Sequence, residues 1–88
     1  MWYVYIVTSK KKDSWVYVGS TNDLRRRFKE HVSGLSLSTR PYRPLVLAAY
    51  VAVKTEYRAR KLEKYLKVGS GKAILKKRIL NDEAPLGA

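Results

Sequence analysis

The sequence predicts an α+β domain in which a three-stranded antiparallel sheet is flanked by helices, in the order β-β-α-β-α-α. Three observations carry this reading. β-Branched and aromatic residues crowd three short stretches, 2–8, 15–19 and 45–53. Apolar residues in the intervening and following segments recur at helical spacing. Gly, Pro, Ser, Asn and Asp punctuate most of the changes from one period to the other.

"WYVYIVT" at 2–8 reads as a strand whose two faces carry Trp2, Val4 and Ile6 on one side and Tyr3, Tyr5 and Val7 on the other. "SKKKDS" is a polar turn, and "WVYVG" at 15–19 returns as a second strand, which makes an antiparallel hairpin. After Gly19, Thr21 or Asn22 can cap a helix, with Asp23 in its first turn. Leu24, Phe28 and Val32 recur at i, i+4 and i+8 and predict its apolar stripe. "SGLSLSTRPYRP" at 33–44 is a loop. The unbroken apolar run "LVLAAYVAV" at 45–53 predicts a strand buried at the centre of the sheet, although the order of the three strands is not readable. A second helix starts near Thr55, with Ala59, Leu62 and Leu66 as its core face. "VGSG" at 68–71 ends it, and Ser70 is the expected cap of a short third helix over 72–80. One domain is expected over 1–80, followed by a disordered tail over 81–88.

Composition narrows the function classes. The 88 residues are 45% apolar and include no cysteine, which removes disulfides, thiolate chemistry and Cys-based zinc sites. No stretch approaches the ~20 apolar residues of a membrane span, and no signal peptide is visible, so the reading is an intracellular, cytoplasmic protein with no membrane partner. Nineteen Lys and Arg against seven Asp and Glu give a formal charge of +12. A phosphate backbone is the commonest partner of so basic a surface. The charge is spread along the chain rather than gathered in a tail, which favours a folded binding face.

A Cys/His metal cluster is excluded by one histidine and no cysteine, and no Gly-rich phosphate cradle is present. "GSGK" at 69–72 follows a helix, so it reads as a turn whose amides, with Lys72, can touch a phosphate. Arg27 and His31 stand four apart on one helical face and flank the apolar stripe. A lone Arg or His is ordinarily a solvated or capping residue, but a guanidinium beside a buried seam is well placed to grip a phosphate. Tyr3, Tyr5 and Tyr17 fall on the hairpin; ordinary strand packing explains them, and a general base is the alternative if cations lower a hydroxyl pKa. Glu63 lies at the edge of the second helix's core face, where it can pair with Lys67 or hold Mg²⁺. Glu30 is expected to point away from Arg27. Arg25, Arg26, Lys29, Arg40, Lys67 and Lys72 form the basic surface expected to meet nucleic acid.

The series "YVYIV" at 3–7, "VYVG" at 16–19, Arg27, His31, "STRPYRPL" and "RKLEKYLKVGSGKAILKKR" resembles the GIY-YIG nuclease domain, in particular its small stand-alone members. The two name-giving motifs match Tyr3-Val4-Tyr5 and Tyr17-Val18-Gly19, with Tyr3 in place of the first motif's glycine. The resemblance implies phosphodiester cleavage with one divalent metal, Mg²⁺ or Mn²⁺. Tyr17 would then be the general base, with Tyr5 holding the attacking water or a phosphate oxygen. Arg27 would stabilise transition-state charge, Glu63 would hold the metal, and His31 would assist proton transfer or touch phosphate.

The leading expectation is an endonuclease acting on DNA rather than RNA, selective for structure, of a repair or recombination type, with room for a partner protein that supplies specificity. The alternatives are an inactive nucleic-acid-binding module of the same fold and a basic adaptor for an acidic protein. Retention of Tyr5, Tyr17, Arg27, His31 and Glu63 together favours the enzyme.

Overall fold

The structure, a computed structural model, describes residues 1–79, so the tail expected over 81–88 lies outside the described residues. The chain forms β1 (Trp2–Ser9), β2 (Val16–Thr21), α1 (Leu24–Ser33), a 3₁₀ turn (Arg40–Tyr42), β3 (Leu45–Val53), α2 (Glu56–Lys67) and α3 (Gly69–Ile74). A π-helical turn (Leu75–Ile79) follows. This is the α+β architecture with an antiparallel sheet and flanking helices that the sequence predicts. Among the described residues, no helix is long and apolar enough to cross a membrane.

The sheet order is β2-β1-β3, which corrects the expectation for the third strand. The strand buried at the centre is β1, where Val4, Tyr5, Ile6 and Val7 are all buried. β3 is an edge, with Ala48, Tyr50, Val51 and Ala52 exposed. A continuous apolar run signals a strand, but not on how many sides the strand is covered. A register shift between Ile6 and Val7 places an extra residue, Ala48, in β3, the signature of a β-bulge. Tyr3 pairs with Thr21 on one side and Ala52 on the other, so the residue standing in for the motif glycine leaves both ladders intact.

The alternation of β1 sorts the molecule into two layers. Val4 and Ile6 join Val18, Ala59, Leu66 and Leu75 in an aliphatic core under α2, with Trp2, Val16, Ala49, Val53 and Leu62 around it. α2 is capped by the Thr55 hydroxyl, which accepts from the Arg58 amide, and buries the predicted Ala59 and Leu66. α3 begins at Gly69, with Val68 rather than Ser70 at its cap position and no side-chain cap bond.

α1 covers the opposite face. Asp23 caps it by accepting from the Arg26 amide, and Gly34 ends it in the left-handed conformation, φ 87°. Its buried side differs from the predicted stripe: Val32 is 51% exposed, and His31 is fully buried. Leu24, Arg27, Phe28 and His31 follow the i, i+3, i+4, i+7 spacing of a single helical face, and Val32 lies one residue, about 100°, beyond it.

Candidate active site

The hairpin fixes the first part of the site. Tyr5, Tyr17, Gly19 and Thr21 share the α1 side of the sheet, with Gly19 directly opposite Tyr5. A Cβ on Gly19 would stand 2.5 Å from the Tyr5 hydroxyl oxygen and 3.1 Å from the Tyr17 ring. The glycine after Val18 is therefore required by the Tyr5 ring, which lies across the neighbouring strand.

Tyr5 leads into a buried polar chain. Its hydroxyl lies 2.9 Å from His31 Nε2, and His31 Nδ1 lies 2.8 Å from Thr39 Oγ1. Tyr5 is 1% exposed, and His31 and Thr39 are completely buried. Burial and the neighbouring Tyr17 push the Tyr5 pKa up to about 12, with the Arg27 guanidinium acting in the other direction. Tyr5 therefore keeps its proton. His31 is held below its usual pKa by burial and by the Arg27 charge, so it is neutral; with the Thr39 hydroxyl donating to the Ser36 carbonyl, the tautomer that fits carries its hydrogen on Nδ1, donates to Thr39 and accepts from Tyr5 at Nε2. Thr39 Oγ1 in turn faces the Ser36 carbonyl at 3.5 Å. No buried side-chain nitrogen or oxygen among the described residues lacks a partner.

Tyr17 and Arg27 stand at the solvent side of this chain. The Tyr17 ring centroid is 6.3 Å from Tyr5 and 5.3 Å from His31. Arg27 is half-buried and close enough to both tyrosines for its charge to act on them. Its guanidinium donates to Glu30 Oε1 at 2.8 Å, and the other Glu30 oxygen accepts from Arg26 at 2.9 Å. Glu30 thus turns toward Arg27, contrary to expectation, because i and i+3 lie side by side on a helix. These bonds hold Glu30 below the usual carboxylate range and Arg27 firmly charged.

Glu63 approaches from the other face. It reaches the edge strand at Ser20, whose hydroxyl donates to Oε1 at 2.6 Å, while Lys67 donates to Oε2 at 2.6 Å. Burial would raise its pKa, but Lys67 and Ser20 hold it below the usual range, so it is ionised. The two halves meet around the β2 edge, where Tyr17 and Lys67 line one shallow hollow with Lys72 and Lys76. Among the described residues, no group of three or more His, Asp or Glu could cage a metal. A single ionised, partly exposed carboxylate still suits Mg²⁺, which commonly takes one or two carboxylates and completes its shell with water and substrate phosphate. Metal entry at Oε2 has to displace Lys67.

The structure thus brings Tyr5, Tyr17, Arg27 and His31 together and sets Glu63 on the opposite side of the outermost strand. Lys67 is paired with Glu63 rather than free. Arg25 and Lys29 line a different hollow, between α1 and β3, with Tyr3, Phe28 and Tyr50. Arg26 is tied up with Asp23 and Glu30, and Arg40 donates to the Gly34 carbonyl. Thr39 and Ser20, which orient His31 and Glu63, are the residues that sequence reasoning missed. Thr39 lies inside the quoted "STRPYRPL", but a lone hydroxyl in a loop carries no periodic signal.

The sequence was also compared with known families and proteins. The model of the GIY-YIG catalytic domain matches residues 1–78. No curated protein and no solved structure gives a match. With that match spanning the hairpin, α1, β3 and α2, the chain belongs to the GIY-YIG family, a family of endonucleases that generally use a divalent metal.

Proposed function

We propose that this chain is a divalent-metal-dependent endonuclease that hydrolyses phosphodiester bonds in DNA. The observation that carries this is the gathering of Tyr5, Tyr17, Arg27 and His31 on one side of the hairpin, with an ionised carboxylate, Glu63, at the neighbouring strand edge.

Each residue's part follows from its surroundings. Tyr17, the half-exposed tyrosine, takes the proton of the attacking water as its own hydroxyl proton passes to solvent. Tyr5 stays protonated and spends that proton on His31, so its oxygen is left to accept a hydrogen bond from the water. His31 is buried and bonded at both ring nitrogens, so its part is to hold Tyr5 rather than to touch phosphate. Arg27 stabilises charge developing on the phosphate, and Glu30 fixes its guanidinium. Glu63 would hold Mg²⁺ or Mn²⁺, and the ion would supply Lewis acidity to the reacting phosphodiester. The reaction takes place inside the cell, on DNA selected by its structure and with a partner protein where sequence specificity is needed. The domain extends over 1–80.

The test is a panel of labelled DNA and RNA structures incubated with Mg²⁺ or EDTA, beside Glu63→Ala and Arg27→Ala. Cleavage should require the metal, and Arg27→Ala should slow it by ~10²–10³-fold. Affinity should fall steeply with salt as phosphate contacts are screened. Unchanged cleavage by Glu63→Ala would sink the metal assignment. Binding without cleavage of any substrate would instead favour a nucleic-acid-binding module.

A further inference from the structure

The catalytic reading leaves one group of aromatic residues unused. Trp15 stands two residues before Tyr17 and shares its side of the sheet. Its indole lies on the Tyr42 ring, centroids 4.3 Å apart and planes at 16°. On the Tyr17 side the centroids are 6.4 Å apart and the planes at 18°. Three nearly parallel rings thus run from the 3₁₀ turn to the candidate base, one step close and the other wide. All three are half-exposed.

Cations gather at the Tyr42 end of this series. The Lys12 ammonium stands 5.9 Å above the Tyr42 ring. Lys11 reaches the Pro41 carbonyl at 3.4 Å, while Arg40 and Arg43, on either side of Pro41 and Tyr42 in sequence, turn their guanidinium groups toward Gly34. None of these four forms an ion pair among the described residues, whereas Arg26, Arg27, Arg60 and Lys67 all do.

We propose that Tyr42, Trp15 and Tyr17 form a base-stacking ladder for the unpaired nucleotides of a single strand lying next to the reacting phosphate. Aromatic faces interleaved with unpaired cations are the combination by which proteins hold single strands, the rings taking bases and the cations taking phosphates. Packing alone explains the close Trp15–Tyr42 step, which ties the hairpin loop to the 3₁₀ turn. It does not explain why Tyr17 continues the same orientation at a wider spacing, or why Lys12 stands over Tyr42 without an ion-pair partner, although Asp13 lines the same hollow. Bases inside a duplex are already stacked on each other, so the ladder selects overhangs, flaps or bubbles. The place of the reacting phosphate rests on the nuclease reading; the ladder's capacity to take bases does not.

The experiment uses the full chain carrying Trp2→Phe, which leaves Trp15 as the sole tryptophan. A short oligothymidylate, a short oligouridylate and a blunt hairpin duplex are titrated in turn, with indole emission and ligand anisotropy read together. Saturable quenching by either oligonucleotide, but not by the bound duplex, is expected, and the two oligonucleotides distinguish DNA from RNA. Trp15→Leu should weaken binding of a tailed duplex about tenfold and leave blunt-duplex affinity unchanged, while Trp15→Phe retains most of the tail affinity. If Trp15→Leu does not fold, the quenching and Trp15→Phe measurements decide. Failure of both oligonucleotides to quench, or equal quenching by the duplex, overturns the ladder. Cleavage is not read, so failure of the hydrolytic reading would appear separately, as an inert protein that still stacks bases.

Discussion

The two faces of the sheet are built on opposite principles, and β1 serves both. Toward α2, Val4 and Ile6 enter an aliphatic cluster with Val18, Ala59, Leu66 and Leu75, where shape and volume matter and no atom needs a particular partner. Toward α1, Tyr5 enters a chain in which a hydroxyl, an imidazole and a second hydroxyl each have a designated neighbour. Both faces are equally dry at the centre, since Val4, Ile6, His31 and Thr39 are all completely buried. The aliphatic face therefore supplies stability without constraining chemistry. The α1 face bears the cost of burying polar groups because the fold is already secured from the other side.

The largest effect should come from the aliphatic face. Ile6→Ala should lower the unfolding free energy by about 2–5 kcal/mol, read from chemical denaturation, because α2 and the sheet cannot fully collapse onto the gap. A loss well below that range would mean that the two faces share stability more evenly. Tyr5→Phe keeps the ring but leaves His31 Nε2 buried without its donor, an expected loss of about 1–3 kcal/mol. Thr39→Val should fall in the same range, and the double variant should lose less than the sum because the chain acts as a unit.

Titration sharpens the contrast. Burial and Arg27 depress the His31 pKa, so below the usual ~6.5 the unfolded chain binds a proton that the folded chain refuses. Stability from His31 is complete above that pH and should be lost as pH falls through it, and His31→Gln should remove this component from a pH series of thermal melts. Tyr5 titrates in the opposite sense. Its pKa near 12 makes its contribution complete below the usual ~10 and lost as pH rises from there through 12. The smallest effect on stability should come from Lys67→Met, within ~1 kcal/mol because the pair with Glu63 is partly exposed. That variant should nevertheless lower the Mg²⁺ concentration that gives half-maximal cleavage, since nothing then has to leave Oε2. An unchanged metal requirement would show that the cation does not enter there.

The sequence revealed what is written locally. Period, caps and turns located the strands and α2, and the resemblance to the GIY-YIG domain, carried by the ordered series through Tyr5, Tyr17, Arg27, His31 and Glu63, marked the candidate site. Relations between distant segments were not written there. A run such as "LVLAAYVAV" is equally apolar in a central strand and at an edge. His31 rather than Val32 faces the sheet because a spacing of seven residues keeps a helical face better than one of eight. Glu63 and the tyrosines look like one cluster in the linear order, yet they lie on opposite sides of β2, joined through Ser20 and the hollow beside Lys67.

The exposed outer edge of β3 carries a consequence of its own. Nine consecutive apolar residues along an edge strand are a ready template for another chain, and no proline or charged residue interrupts them. What guards this edge is the formal charge of +12, which keeps copies apart. That guard weakens as salt shortens the screening length to ~8 Å at physiological ionic strength. The same charge that attracts a phosphate backbone thus acts as a colloidal stabiliser, and bound nucleic acid partly neutralises it. The protein should be most prone to associate through β3 when its charge is masked, whether by salt or by its own ligand.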